Sequence, residues 1–145
     1  MKTSFDVIVI GGGSAGLAFS KEAARRGVDV LLVERDKLGG TCVNRGCVPK
    51  KMMWSVSDMM QTQAAMVSEG IFADPVSLDF ATLANVRADR ISEIVDSFDD
   101  QLDEAGVHHV VGDAVMQSYD TVQVEEIVYT ADKIVLATGT RPSPL

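Results

Sequence analysis

The chain has two cysteines, five positions apart in Gly39-Gly40-Thr41-Cys42-Val43-Asn44-Arg45-Gly46-Cys47-Val48-Pro49-Lys50-Lys51. A disulfide needs Cα atoms within about 7 Å of each other. Residues five apart on a regular α-helix are turned away from one another, since a turn takes about 3.6 residues. The stretch from Cys42 to Cys47 is therefore not ordinary helix throughout, and Gly46 permits a bend. Pro49 is best tolerated in a first helical turn, where a missing N–H costs nothing. The spacing predicts regular helix from Cys47 or Val48, running through Trp54 to Ser68. The dithiol then lies at a helix N-terminus, where the positive end of the backbone dipole favours a thiolate. Arg45, Lys50 and Lys51 add positive charge nearby. A purely structural disulfide would close a loop too short to stabilise much by chain entropy. Zinc wants four ligands, and no His or further Cys lies close by, so no metal is expected.

A second chemical feature precedes the first. Phe5 to Ile10 is a short apolar run that suits a buried parallel strand. Gly11-x-Gly13-x-x-Gly16 follows directly, then a helical stretch from Leu17 to Arg26 closed by Gly27. Val28 to Val33 reads as a second strand ending at Glu34, an acid 18 residues after the last glycine. Strand, glycine turn, helix, strand and acid form the context that a dinucleotide-binding turn requires. Gly11 allows the tight turn, and Gly13 lets backbone approach a pyrophosphate. Gly16 lets helix and strand pack closely, and Glu34 is placed to accept from a ribose hydroxyl. A carboxylate there repels a 2′-phosphate, so FAD or NAD is expected rather than NADP.

Other segments read as scaffold. Met52, Met53, Met59, Met60 and Met66 fall on the helix after the cysteines and are expected to be flexible core packing. Asp74-Pro75 to Leu78 is a loop. Phe80 to Ala105 is a long helix with Leu83, Ile91, Ile94, Val95, Phe98 and Leu102 at helical spacing, closed by Gly106. His108 and His109 are adjacent on a strand and so point to opposite faces, which makes them structural. Alternation from Val107 to Val128, with a turn near Tyr119-Asp120, predicts a small antiparallel meander. Lys133 to Ala137 then rejoins the parallel sheet. The fold class is α/β, a doubly wound parallel sheet with that meander.

Composition bounds the partners. The net charge of -8 argues against nucleic acid. The acids concentrate in Asp89 to Glu104, the expected solvated face of the long helix. No apolar run approaches the ~18 residues of a membrane span, and none resembles a signal peptide. A cytoplasmic location is expected, where a paired dithiol is more often catalytic than structural.

With these motifs in order, the chain resembles the N-terminal part of the pyridine nucleotide-disulfide oxidoreductases, the glutathione reductase and dihydrolipoamide dehydrogenase class. The likeness extends over essentially all 145 residues. It includes Ile134-Val135-Leu136-Ala137-Thr138-Gly139-Thr140-Arg141-Pro142, which matches the strand and turn where that family's flavin domain hands over to its pyridine-nucleotide domain. The resemblance implies a Rossmann-like FAD-binding fold and FAD as the ligand. It implies that Cys42 attacks the substrate disulfide and that Cys47 lies against the flavin as a thiolate. Lys50 would stand near the flavin's reactive nitrogen and Thr41 near the cofactor phosphates. Gly11, Gly13, Ser14, Ala15, Gly16, Glu34, Arg35 and Gly40 would hold phosphate and ribose. Ala114 would meet the adenine end, and Thr138 and Gly139 would close the site.

The same resemblance implies a small-molecule disulfide substrate, NADPH or NADH bound in a portion outside this chain, and a homodimeric parent. The family's pyridine-nucleotide and interface domains find no counterpart here, so the chain is expected to be a piece of the FAD-binding domain, inactive alone. Val48-Pro49-Lys50-Lys51 with Trp54 reads closer to glutathione reductase than to lipoamide dehydrogenase. Phe98, however, stands where glutathione reductases carry a substrate-contacting tyrosine, and Lys21 where some use arginine. The alternatives are a dihydrolipoamide dehydrogenase or mercuric reductase-like member, or a nucleotide-binding module without turnover.

Overall fold

The computed structural model describes residues 2–141. The chain order is β1 (Ser4–Ile10), α1 (Ser14–Arg25), β2 (Val30–Glu34), α2 (Gly40–Asn44), α3 (Cys47–Ser68), α4 (Phe80–Ala105), β3 (His108–Val111), β4 (Ala114–Met116), β5 (Thr121–Val124) and β6 (Ile127–Leu136). Six strands form one sheet in the order β3-β2-β1-β6-β5-β4. The expected α/β sheet, mostly parallel with antiparallel strands at one side, is therefore what the chain builds.

The parallel half is β3, β2, β1 and the later part of β6, with Val7 opposite Val30 and Lys133, and Ile10 opposite Val33 and Leu136. The Val, Ile and Leu side chains of the two central strands, β1 and β2, are buried on both faces, with Ile10 at the strand end half-buried. Val7, Val9, Val30 and Leu32 pack with Leu17 of α1 and Leu102 of α4. Ile8, Leu31 and Val33 pack instead with Val122, Val124 and Tyr129. In a flat sheet β2 and β5 would be three strand spacings apart, about 14 Å. Their shared core means that the antiparallel ribbon folds back across the parallel face. One face is thus covered by helices and the other by the ribbon. Fully burying one such aliphatic side chain contributes about 1.5–3 kcal/mol, so both layers hold the sheet.

Two expectations change. His108–Val111 does not start a meander; it is a fourth parallel strand, on β2. Only β4, β5 and the start of β6 are antiparallel, and β6 runs unbroken from Ile127 to Leu136, serving both halves. The turning point is Gly112, whose N–H donates to Glu34 O at 2.9 Å and where a Cβ would sit 2.6 Å from Val124. Opposite faces for the histidines hold: His108 meets the Phe5 ring, while His109 Nε2 lies 3.1 Å from Asp99 on α4.

The methionine helix also differs. No residue of α3 is buried, and Met59 is 73% exposed, so these methionines are not core packing among the described residues. The long helix behaves as its spacing predicts at the inner end: Leu102 is fully buried, and Leu83, Ile91, Ile94, Val95 and Phe98 are half-buried. Its acids from Asp89 to Glu104 are all exposed. Asp79 caps α4 by accepting from Thr82 N at 3.1 Å, and hydrogen bonds from Thr82 hold the Asp79 carboxyl below its usual range. No helix among the described residues is long and apolar enough to cross a membrane.

Candidate active site: a glycine turn joined to a dithiol

Strands β1, β2 and β6 run parallel and end on the same edge, at Ile10, Glu34 and Leu136. A ligand in an open α/β sheet binds outside such carboxyl ends. The loops that leave these ends line a cleft of about 600 Å³. Of the residues expected in the site, Gly11, Gly13, Ser14, Ala15, Glu34, Arg35, Gly40, Thr41, Cys42, Thr138 and Gly139 all line it.

Each glycine of the turn has a separate cause. Gly11 has φ +110°, and a Cβ there would sit 2.4 Å from Ala137 O. At Gly16 a Cβ would meet Gly11 O at 1.8 Å, so this residue lies buried beneath the turn and not in the cleft wall. Around Gly13 a Cβ would find only Gly40 Cα, at 3.9 Å. Nothing in the protein itself demands glycine at Gly13. The absent side chain instead leaves backbone open to the cleft, next to the first N–H groups of α1. Those groups have no partner inside the helix and carry the positive end of its dipole. The turn thus fits a pyrophosphate.

Glu34 does more than the motif requires. Its carboxylate accepts from Gly12 N at 2.6 Å and from Asp36 N at 2.9 Å, pinning the turn to the end of β2. Gly12, absent from the expected set, is therefore a structural member of the site. A Cβ on it would press on Leu38 and Glu34 at 2.7–3.0 Å.

The cysteine segment joins the turn through backbone. Gly39 N donates to Gly12 O at 2.8 Å, and Gly13 and Gly39 form a parallel bridge. Helix α2 therefore starts against α1. Asn44 Nδ2 donates to Leu38 O and Gly40 O, each at 3.0 Å, and holds α2 closed. As the spacing predicts, regular helix breaks between the cysteines, at Arg45-Gly46, and α3 begins at Cys47. A Cβ on Gly46 would sit 2.9 Å from Thr41 O and 3.5 Å from Cys42 Cα. Bare backbone at Gly46 thus lets the start of α3 fold back onto α2.

Both cysteines are free thiols, Cys47 exposed and Cys42 half-buried within α2. The sulfurs are neighbours. The Cys42 thiol pKa is raised first by its hydrogen bond to Cys47, then by partial burial and by repulsion from the Cys47 charge. Two neighbouring thiols can close one disulfide, the change that thiol–disulfide exchange requires.

The remaining expected residues lie elsewhere. Cys47 and Lys50 head α3 just outside the cleft lining, and Ala114 sits on β4, half-buried against the ribbon core. Asp36, Lys37, Asn44, Arg45 and Arg141 line the cleft without having been singled out for it. Asn44 and Arg45 lie between the two cysteines, which is a signal that could have found them. Pro142, the last residue of the expected hand-over strand and turn, falls outside the described residues. Lys21 and Phe98 meet where α1 crosses α4: Lys21 Nζ lies 5.9 Å from the Phe98 ring and donates to Gln101 Oε1 at 2.6 Å. The Phe98 edge packs on Gly39, 2.9 Å from where a Cβ would be.

Comparison with known proteins agrees with this geometry. The family model described as pyridine nucleotide-disulphide oxidoreductase matches residues 5–145. The chain belongs to that family. Among curated members of the pyridine nucleotide-disulphide oxidoreductases, it is 41% identical to a glutathione reductase of Nostoc sp. over 145 residues, covering 98% of this chain and 31% of that protein. It is 35% identical to a glutathione reductase of Schizosaccharomyces pombe over 146 residues, covering 95% and 32%. It is 34% identical to dihydrolipoyl dehydrogenase 2 of Haloarcula marismortui over 149 residues, covering 97% and 31%. The chain spans about a third of the length of these relatives.

Proposed function

We propose that this chain is the flavin- and dithiol-bearing part of a glutathione reductase-like disulfide oxidoreductase. The observation that carries this reading is the Gly13–Gly39 bridge, which places the glycine turn and the thiol of Cys42 on one cleft. FAD would be the ligand of that cleft, and once reduced by a nicotinamide cofactor it would supply the two electrons that open the Cys42–Cys47 disulfide. Gly11, Gly13, Ser14 and Ala15 present the start of α1 to its pyrophosphate. Glu34 and Arg35 face the ribose, Gly40 and Thr41 the phosphates, and Thr138 and Gly139 close the site. Ala114 faces the adenine end, and Cys47 and Lys50 the reactive end.

The chemistry then runs on this chain's sulfurs. The Cys42 thiolate attacks one sulfur of the substrate disulfide, forming a mixed disulfide and releasing the first thiol. The Cys47 thiolate attacks the Cys42 sulfur, closes the internal disulfide and releases the second thiol. The substrate gains the two electrons that the dithiol loses. Glutathione disulfide is the preferred substrate, supported by the glutathione reductases among the relatives and by Val48-Pro49-Lys50-Lys51 with Trp54. A lipoyl substrate is the second reading. Phe98 favours it, because it offers no hydrogen bond to a peptide and is spent packing on Gly39. The nicotinamide cofactor, NADPH or NADH, is bound by polypeptide outside these 145 residues, and the full enzyme is a cytoplasmic homodimer.

Adding FAD is expected to raise the melting temperature of the chain. At tenfold excess over Kd the stabilisation is about 1.4 kcal/mol, or roughly 3–6 °C for a domain of this size. No shift at saturating FAD would remove FAD as the cleft's ligand.

A further inference from the structure

We propose that residues 73–78 form a strap poised to close on the apolar face of α3, and that the side chain of Gln63 is the latch that holds it open. The proposal rests on neither the flavin nor the dithiol. The segment turns away from the end of α3 at Gly70, where φ is +74°, and Ile71 N donates to Met66 O at 2.9 Å. It re-enters regular structure at Asp79, the cap of α4. Between these anchors the strap is held through Gln63. Its Nε2 donates to Asp74 O at 3.3 Å, and its Oε1 accepts from Val76 N at 2.9 Å. Among the described residues, 73–78 make no other hydrogen bond. One side-chain amide, a donor and an acceptor together, thus serves two backbone groups of the strap.

No buried apolar side chain anchors the strap. Phe72, Val76 and Leu78 are all exposed. So are Trp54, Met59 and Met66 of α3, and the two sets line one groove of about 800 Å³. That volume is in the range of small-molecule sites. Closing the groove takes apolar surface of both walls out of water, which is favourable. The latch opposes this, because a strap that moves must break both bonds of Gln63. A hydrogen bond contributes only modestly once exchange with water is counted, so two of them hold the open position lightly. The strap's position then decides whether α3 offers a groove or a filled surface.

The test uses Gln63→Met, which keeps the length of the side chain and removes both bonds. Gln61→Met, at an exposed position on the same helix, is the control. Trp54 is the chain's only tryptophan and lines the groove, so its emission reads the strap directly. In Gln63→Met the emission maximum is expected to move to shorter wavelength and iodide quenching to fall, as the closing strap covers the indole. Hydrogen exchange at Val76 N is expected to quicken about three- to tenfold, the value of one hydrogen bond. Gln61→Met should change neither, and circular dichroism checks that each variant is folded. Unchanged or slower exchange at Val76 in folded Gln63→Met would overturn the proposal. So would Trp54 emission that stays in place or moves to longer wavelength, or a shift as large in the control. Neither readout involves flavin or thiols, so each result leaves the redox reading of the dithiol standing.

Discussion

Cys42→Ser, placed in the full-length enzyme, is expected to lower disulfide turnover by on the order of a thousandfold or more. A serine hydroxyl is not ionised near neutral pH and cannot leave a mixed disulfide, so both exchange steps are lost together. Steady-state reduction of glutathione disulfide measures this directly. The structural cost should be small, because Cys42 is half-buried and serine is nearly the same shape. Turnover within tenfold of the parent would show that the attacking sulfur lies elsewhere.

Gly16→Ala should be the most damaging single methyl group in the chain. Alanine normally gains about 1 kcal/mol over glycine inside a helix. Here the added carbon would sit 1.8 Å from Gly11 O, and backbone on both sides leaves no rotamer to relieve it. Overpacking of this kind costs about 3 kcal/mol or more, a large fraction of the 5–15 kcal/mol that holds a typical domain. Gly27→Ala is the control. Nothing lies within 4 Å of its Cβ, but φ is +83°, so its cost is the left-handed strain alone, about 1–2 kcal/mol. Urea unfolding of the two variants measures the difference. A Gly16→Ala chain as stable as Gly27→Ala would mean that helix α1 does not press on the turn as described.

Much of this arrangement is legible in the residues themselves. β1, the turn, α1 and β2 follow from an apolar run, three glycines and an acid at fixed offsets. The break between the cysteines follows from the geometry of a helical turn and from Gly46. What stays hidden are choices that local pattern does not encode. His108-His109-Val110-Val111 alternates in the same way whether its partner is parallel or antiparallel. Its place beside β2 depends on long-range pairing, Leu31 with His108 through Glu34 with Val111, that no local pattern announces. Thr130, Asp132 and Lys133 interrupt the apolar pattern of β6, yet the strand is continuous because its two ends serve different halves of the sheet. The methionines of α3 have the composition of a core without the burial. Glu34 is visible as an acid, but its bonds to Gly12 and Asp36 depend on how the turn closes in space. Cys42, at the start of the stretch expected to bend, lies in a short helix and is the less exposed of the two thiols.

The central claim is that one chain carries a flavin cleft and a dithiol that meet. The most direct test is the long-wavelength absorbance of the chain saturated with FAD and reduced by one equivalent of dithiothreitol. The dithiol account predicts a charge-transfer band that persists in Cys42→Ser and vanishes in Cys47→Ser. A band that is absent at saturating FAD, or that survives Cys47→Ser, would contradict it.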